Sequence, residues 1–317
     1  MNDIAASILA QLKNQAKETE LSYQVCLQLF CQEEFLRRLS LSPYSSNFVL
    51  KGGLFIYTLT EFQSRATQDI DFLMRKLAND IDKVKDIMEA ISKVSTANDY
   101  VIIEVLSTEN ITLEKEHEGV SVKLAGHIKQ VRVPFSIDIG VGDVVVPKAL
   151  KRSIKTRFSD FDQPKIYTYS LESTIAEKFD AILKRMEGTS RMKDFFDIYY
   201  LSSMFDFDGR KLQEAIWQTI QHRGTAYEAN SFDRITAFGD NDFLSAQWTR
   251  FQPSMHVQLP EFALTLYRIK EFLQPPFEAS IHEKQFFMNW SAELKIWQDK
   301  KNNVPRRAHC LDFLFEK

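Results

Sequence analysis

Two aspartates, Asp69 and Asp71, flank a single isoleucine in a short segment whose alternation indicates a β-strand. Residues two apart in a strand point to the same face, so the two carboxylates would lie roughly 6.5 to 7 Å apart on one side of a sheet. Mg²⁺ prefers oxygen ligands and usually takes one or two carboxylates together with phosphate oxygens. The pair therefore predicts a site for Mg²⁺ or Mn²⁺, and an exposed strand face is the alternative interpretation.

A pair of glycines precedes these aspartates in the segment Lys51-Gly52-Gly53. The segment follows a predicted strand at Asn47–Leu50 and begins a predicted helix that runs to Thr60. Without Cβ atoms, the glycine N–H groups can approach a phosphate at the positive end of the helix. A tight strand-to-helix turn without a ligand is the other interpretation. We expect the lysine and both glycines to bind the phosphates of a nucleotide.

A third carboxylate, Asp138, lies on the polar side of a long alternating segment, Val131–Ile139. Strict alternation of apolar and polar residues predicts a strand with one buried face. On a neighbouring strand, Asp138 could act as the general base that accepts a proton from an attacking hydroxyl, or it could be a third ligand of the metal. The preceding alternating segment, residues 120–124, carries Lys123 on its polar side, and we assign this lysine to nucleotide binding.

Two cations flank the apolar stripe of a predicted helix that begins after Ser170. The stripe has helical spacing and consists of Leu171, Ile175, Phe179, Ile182 and Met186. Lys178 and Arg185 lie beside this stripe rather than opposite it. They either extend along the edge of the core with their charges in water or project into a cleft and contact phosphate. We assign Lys178 to catalysis and Arg185 to nucleotide binding.

The next predicted helix carries Asp194 and Asp197, which are three residues apart and therefore share one helical face. Either carboxylate could support the catalytic site, and the sequence does not distinguish them. A simple ion pair between Lys193 and Asp197 on the helix surface is the alternative.

The pattern of elements predicts an α+β protein with a mixed sheet and helices followed by a helical C-terminal half. We expect residues 1–160 to hold N-terminal helices and the α/β core, and residues 161–317 to form a helical domain. The boundary would lie at the basic loop Lys148 to Arg157 and the turn around Pro164. The last sixty residues, 258–317, are predicted to be helical.

The composition is that of a globular protein, with 44% hydrophobic and 26% charged residues, which excludes disordered and collagen-like chains. A net charge of −3 excludes a protein that coats nucleic acid through overall positive charge. Three cysteines without a CxxC pair, and no apolar run long enough to span a membrane, favour a reduced, cytoplasmic protein without a membrane partner. Two basic patches could contact RNA, with ordinary solvated surface as the alternative interpretation: Lys148, Lys151, Arg152, Lys155 and Arg157, and Lys300, Lys301, Arg306 and Arg307.

In their order along the chain, these motifs resemble the AbiEii-type toxins, a bacterial branch of the nucleotidyltransferase superfamily with a polymerase-beta-like catalytic fold. The resemblance adds Arg65 and Thr67, in an R-x-T-x-D-x-D pattern, to the nucleotide-binding residues. Many nucleotidyltransferases have Gly-Ser where this chain has Gly52-Gly53, which leaves phosphate contact at this turn to the backbone. The matching segments are Arg38–Ser40 with Ser42, Phe48–Gly53, Arg65–Asp71, Ile137–Gly140 with Gly142 and Asp143, Ala176–Lys178, and Arg191–Asp194 with Asp197.

The resemblance implies a metal-dependent enzyme that transfers NMP from an NTP to an RNA acceptor, the 3′ end of tRNA, and so blocks translation. It also implies a toxin–antitoxin system with a role in abortive infection and phage defence. The cognate antitoxin would carry a winged-helix DNA-binding domain and act without a stable complex. Two alternatives remain from the residues themselves: a nucleotidyltransferase acting on a small molecule or protein hydroxyl, and a module that binds NTP or RNA without turnover.

Overall fold

The structure is a computed structural model that describes residues 3–113, 117–158, 161–251 and 258–299. Within these residues the chain forms a seven-stranded mixed sheet, a three-stranded sheet and ten α-helices. The predicted α+β class is therefore confirmed. None of the helices in the described ranges is both long and apolar enough to cross a membrane.

The first half of the chain begins with two helices and then builds the large sheet. Its elements are α1 (Ile4–Glu18), α2 (Tyr23–Leu41), β1 (Phe48–Lys51), α3 (Gly52–Leu59), β2 (Asp69–Met74), α4 (Ile81–Ser92), β3 (Val101–Leu113), β4 (His117–Ile128), β5 (Val131–Val141), β6 (Leu150–Ser153) and β7 (Lys165–Thr168). The strand order is β3-β4-β5-β2-β1-β7-β6. The β2–β5 and β1–β7 pairs are parallel, and the remaining pairs of this sheet are antiparallel.

One face of this sheet is apolar and packs under the N-terminal helices. Ile70 and Phe72 of β2, and Ile137 and Ile139 of β5, are all buried in the same core cluster as Phe30 of α2. Alternation places the aspartates of these strands on the opposite face. The first half therefore has a closed apolar back and an open polar front.

The second half is mainly helical. Its elements are α5 (Leu171–Arg185), α6 (Met192–Met204), β8 (Phe207–Asp208), α7 (Gly209–Arg223), α8 (Ser231–Thr236), α9 (Asp242–Phe251), α10 (Phe262–Ile281), β9 (Met288–Ser291) and β10 (Ile296–Asp299). Helix α5 begins where the Ser170 hydroxyl accepts the N–H of Ser173, which is the usual arrangement of an N-cap.

The prediction of helices throughout residues 258–317 is wrong for residues 288–299. There, β9 and β10 form an antiparallel hairpin, and β8 pairs with β9 to make the second sheet. Trp290 anchors the hairpin, since its ring centroid lies 4.9 Å from that of Phe272 and its indole N–H donates to the Ser202 carbonyl at 2.7 Å. These partners are far away in the sequence, which explains why local pattern missed the strands. Residues 300–317 lie outside the described ranges.

The segment expected to be a boundary loop is part of the sheet. Strands β6 and β7 fall within residues 148–168 and form the edge of the sheet beside β1. The buried hydrophobic residues form two clusters. The first ends at Tyr169, and the second consists of Ile56 of α3 together with residues from Ile175 onward. The change of core thus falls at the start of α5, and the division into domains at residue 160 stays a prediction.

Candidate active site

The open face of the sheet carries a row of polar side chains across four strands. Asp71 of β2 is paired with Asp138 of β5 on one side and with Lys51 of β1 on the other. Ser121 of β4 is in turn paired with Asp138. Because directly paired residues of neighbouring strands share a face, these four side chains lie side by side.

A second, parallel row begins at Asp69, which is paired with Ser136 of β5. Ser136 is paired with Lys123 of β4, so Lys123 lies on the same face, two strands away from the aspartate. The structure therefore places the three predicted carboxylates, Asp69, Asp71 and Asp138, on adjacent strands of one face.

This face forms one wall of a cavity of about 390 Å³, and helices α5 and α6 provide the opposite wall. Most of the predicted site residues line it: Lys51, Gly52, Gly53, Arg65, Thr67, Asp69, Asp71, Asp138, Lys178, Arg185 and Asp194. Two predicted residues, Lys123 and Asp197, are not among the described residues of the lining. The sequence left Asp194 and Asp197 undistinguished, and only Asp194 reaches the cavity wall.

Asp71 occupies the centre of the cavity floor against the glycine turn. Gly52 has a φ of +66°, and a Cβ atom at this position would lie 2.0 Å from the Asp71 Oδ2. Any side chain at residue 52 would therefore collide with the carboxylate as well as strain the backbone. Burial, reinforced by the nearby charge of Asp138, raises the pKa of Asp71 despite the opposing charge of Lys51.

The other two carboxylates are each held by a serine hydroxyl. The hydroxyl of Ser136 donates to Asp69, and that of Ser121 donates to the Asp138 Oδ1 at 2.7 Å. Both aspartates line the cavity. A serine on the neighbouring strand thus orients each of these carboxylates.

Asp69 and Asp71 are the residues that could hold a divalent cation. Two neighbouring carboxylates, one of them with a raised pKa, form a site that a hard cation would stabilise by neutralising their charge. Among the described residues, no group of three or more His, Cys, Asp or Glu side chains is arranged to hold a metal alone. The donor set therefore fits an ion of the Mg²⁺ type, which leaves coordination positions for water and phosphate oxygens.

The second glycine of the turn faces a threonine hydroxyl. A Cβ atom at Gly53 would lie 2.9 Å from the Thr67 Oγ1 and 3.4 Å from the Arg65 Nη1. Thr67 therefore places a hydroxyl beside the space that a serine at residue 53 would use. This explains in steric terms why the chain has a second glycine at the turn.

Buried ion pairs connect the sheet to helix α6. Asp197 is completely buried and accepts two hydrogen bonds from Arg65, from Nε at 3.0 Å and from Nη2 at 2.8 Å. It also pairs with the Lys178 Nζ at 2.5 Å, while Lys178 lies 3.4 Å from Asp194. Burial alone would raise the pKa of Asp197, but the charges of Lys178 and Arg65 lower it overall. Asp194 also accepts from the Arg191 Nε at 2.6 Å.

A second network surrounds Lys51 and includes a residue that sequence reasoning missed. The Lys51 Nζ donates to Asp143 at 2.8 Å and to Glu177 at 3.1 Å. Burial alone would lower the pKa of Lys51, but these negative charges raise it overall. Arg223 of α7 binds the same two carboxylates, at 2.8 and 2.9 Å, and contacts Asp180 at 3.2 Å. No local motif marks Arg223, because the fold alone brings α7 to this wall of the cavity.

The mixed sheet, the glycine turn and the carboxylates beside it can be compared with solved structures. The fold is similar to that of a solved structure of MenT4, a nucleotidyltransferase toxin from Mycobacterium tuberculosis H37Rv. The TM-score is 0.53 and the sequence identity 15%, and the match covers 87% of this chain and 99% of that chain. The structure of JHP933 from Helicobacter pylori is similar with a TM-score of 0.47 and 14% identity, covering 83% and 95%. No curated protein sequence matches the chain.

The family follows from a second comparison. A family model described as the nucleotidyl transferase AbiEii toxin of type IV toxin–antitoxin systems matches residues 34–281. The chain belongs to this family, which confirms the resemblance seen in the motifs. It is a nucleotidyltransferase toxin, with an NTP as substrate and an antitoxin as partner.

Proposed function

We propose that this toxin transfers NMP from an NTP to the 3′ end of an RNA, with tRNA as the acceptor and a divalent cation bound by Asp69 and Asp71. One observation carries the enzymatic part of the proposal. Three carboxylates on adjacent strands line one cavity beside a glycine turn, and cations from two further helices line the same cavity. A module that only binds nucleotide would have no use for the third carboxylate.

The chemistry follows from the placement of these groups. The acceptor hydroxyl loses its proton to Asp138, and its oxygen attacks the α-phosphorus of the NTP. The bond from that phosphorus to the bridging oxygen breaks, and pyrophosphate leaves. A divalent cation on Asp69 and Asp71 would neutralise charge on the leaving group. The backbone N–H groups at Gly52 and Gly53, with the Thr67 hydroxyl beside them, bind phosphate oxygens and fix the direction of attack.

Ser121 and Ser136 contribute by holding the carboxylates in place. Each donates a hydrogen bond to an aspartate oxygen that would otherwise rotate freely. Asp197 is a positioning residue, because it is buried and holds Lys178 and Arg65 at the cavity wall. Asp194 is the carboxylate of α6 that lines the cavity, where it pairs with Lys178 and Arg191.

RNA is proposed as the acceptor because the motifs resemble AbiEii-type toxins, and the overall charge of −3 then requires local basic residues for RNA binding. Lys148 and Lys151 are exposed near the β6 edge of the sheet, whereas Lys155 pairs with Glu61 at 2.7 Å. Arg157 points inward, and its guanidinium donates to the Tyr57 hydroxyl at 2.6 Å. The expected basic patch is therefore reduced to its exposed members. The other patch, Lys300, Lys301, Arg306 and Arg307, lies outside the described residues.

One incubation tests the proposal. The protein is mixed with total tRNA, Mg²⁺ and each of the four labelled NTPs in turn, and label in RNA is measured. We expect one or more nucleotides to be incorporated at the RNA 3′ end, and periodate-oxidised RNA, which lacks the 3′ hydroxyl, to remain unlabelled. Parallel reactions with a small-molecule extract and with protein substrates separate the alternative acceptors.

The outcomes are distinct. Label in protein or in small molecules would replace RNA as the acceptor while keeping the reaction. Binding of NTP without label in any acceptor would overturn transfer and favour a binding module. The associated biology, abortive infection controlled by an antitoxin that does not form a stable complex, is tested by co-expression: the antitoxin should relieve toxicity without co-purifying with the toxin.

A further inference from the structure

The cavity wall carries many cations, and most of them are already neutralised by the protein itself. Lys51 pairs with Asp143 and Glu177, and Arg223 shares both partners. Arg65 pairs with Asp197. Lys178 pairs with both aspartates of α6, and Arg191 with Asp194. Carboxylates of the protein hold these cations in place, so a substrate phosphate would have to compete with those carboxylates for the same cations.

Lys193 differs from these cations. It lines the cavity from the first turn of α6 and is exposed to it. Within the described residues, its ammonium group has no carboxylate at ion-pair distance and no hydrogen-bond acceptor. It lines the same cavity as Asp71, and its charge opposes the rise in the pKa of that carboxylate.

The position of Lys193 is electrostatically unfavourable in the absence of a ligand. A cation in the first turn of a helix opposes the helix dipole, which favours anions there. Burial lowers the pKa of Lys193, and the charges of Arg191, Arg65 and Lys178 add to this against the attraction of Asp194. A cation kept at such a place without a partner indicates that its counter-ion comes from outside the protein.

We propose that Lys193 is the lysine that binds the polyphosphate of the NTP and then the departing pyrophosphate, whereas Lys51 and Lys178 hold the two cavity walls together. The inference rests on the proposed function, which it deepens by changing which lysine contacts the nucleotide. A triphosphate is the chemical class that fits, because its negative charges would pair with the Lys193 ammonium group, which has no carboxylate partner among the described residues, while a divalent cation on Asp69 and Asp71 would offset repulsion by the carboxylates. Lys193 acts as a point charge, as lysines commonly do toward phosphate.

The test measures binding of a probe that has no base or sugar. Tripolyphosphate is titrated calorimetrically into the full-length protein in the presence of Mg²⁺, with Lys193→Met, Lys193→Arg and the exposed Lys85→Met of α4 as a matched control. We expect Lys193→Met to weaken binding about tenfold or more, since a charge-assisted contact is lost. Lys193→Arg should retain most of the affinity, and Lys85→Met should bind like the unmodified protein.

Thermal unfolding distinguishes this contact from a structural one. Lys193→Met removes a charge without a partner, so the melting temperature should stay unchanged or rise. Lys178→Met leaves Asp194 and Asp197 short of a partner in a buried position, and its melting temperature should fall. In steady-state assays Lys193→Met should raise the KM for NTP more than it lowers kcat.

Two results would overturn the inference: tripolyphosphate binding by Lys193→Met equal to that of the unmodified protein, or no tripolyphosphate binding by the unmodified protein at all. These results are separable from failure of the proposed function. A protein that binds tripolyphosphate through Lys193 but labels no acceptor would keep this inference and lose the transfer reaction. If Lys193→Met labels RNA as well as the unmodified protein does, the transfer reaction is kept and this inference is lost.

Discussion

Charged side chains are buried on both faces of the seven-stranded sheet, and the two groups differ in how completely their charges are paired. On the back, Glu34 of α2 accepts hydrogen bonds from Arg37 at 2.9 Å, Arg38 at 3.1 Å, Thr96 at 2.6 Å and Asn98 at 2.6 Å. The Arg38 guanidinium also donates to backbone carbonyls of residues 92 and 101. The Glu34 carboxylate is therefore fully satisfied inside the protein.

The front face is arranged differently. Among the described residues, neither the Asp71 carboxylate nor the Lys193 ammonium group has a hydrogen-bond or ion-pair partner, although both line the cavity. A buried ion group with every charge paired holds elements together, while charges left unpaired at a cavity are available for a ligand. The comparison predicts that substitutions behind the sheet affect stability and substitutions in front of it affect catalysis.

The largest expected effect is on catalysis, from Asp71→Asn. The amide keeps the shape of the side chain but removes the charge that would bind the cation, and we expect nucleotide transfer to fall by about a thousandfold or more. Because burial raises the pKa of Asp71, loss of the charge should leave the stability of the free protein unchanged or slightly higher. Incorporation of labelled NTP and thermal unfolding measure the two effects.

The exposed Asp86→Asn of α4 is the control and should transfer nucleotides normally. In cells, the Asp71 variant should accumulate as soluble protein without toxicity. Unchanged incorporation by this variant would contradict the metal-site assignment, and loss of toxicity through aggregation would assign Asp71 a structural role instead.

Behind the sheet, Glu34→Ala should cost about 3 to 5 kcal/mol of unfolding free energy, because two arginines remain buried without their carboxylate. Chemical denaturation measures this loss, and the exposed Glu214→Ala of α7 should change the free energy by less than about 0.5 kcal/mol. The folded fraction of the Glu34 variant should still transfer nucleotides. A folded but inactive variant would show that the back of the sheet also shapes the catalytic face.

A pH-dependent effect is expected at Glu33, the other buried carboxylate of this group. Burial raises the pKa of Glu33 to about 7, although Arg157 and Arg37 oppose the shift. Between about pH 4.5 and 7 the folded protein therefore holds a proton that the unfolded chain has released, so the contribution of Glu33 to stability falls as the pH rises.

Glu33→Gln should remove this dependence. Chemical denaturation at pH 5 and pH 8 gives the free energy of unfolding at each pH. The difference between the two values should be smaller in the variant than in the unmodified protein, by at most about 3 kcal/mol. An identical pH dependence in both proteins would mean that Glu33 is ionised in the folded state throughout this range.

The smallest expected effect is that of Ser121→Ala, which removes the hydroxyl that donates to Asp138. We expect kcat to decrease a few-fold, since the carboxylate stays but is less well oriented, and stability to fall by about 1 kcal/mol. Ser107→Ala of β3, which changes a serine further out on the same sheet, is the control. A loss of activity as large as that of Asp71→Asn would indicate that Ser121 itself contacts substrate.

Local sequence pattern predicted much of the front face. Alternation in β2 and β5 placed Asp69, Asp71 and Asp138 on the polar side, because the two-residue period of a strand depends only on neighbouring residues. The glycine turn after β1 was recognisable for a similar reason, since residue types without Cβ atoms mark a backbone that must approach another group closely. The roles of these residues in catalysis stay predictions.

The sequence by itself therefore determined the strands and the glycine turn of the front face, the polar side of those strands, and the family, all of which depend on local spacing and ordered motifs. Only the tertiary structure decided which charges are paired. Lys51 is neutralised by Asp143, 92 residues away in the chain, and Arg223 reaches the same carboxylate across 80 residues. Such pairings depend on how the helices dock onto the sheet, and spacing along the chain contains no information about that docking. For this reason Lys193, rather than the lysine of the glycine turn, is recognisable as an unpaired cation of the cavity only from the tertiary structure of the described residues.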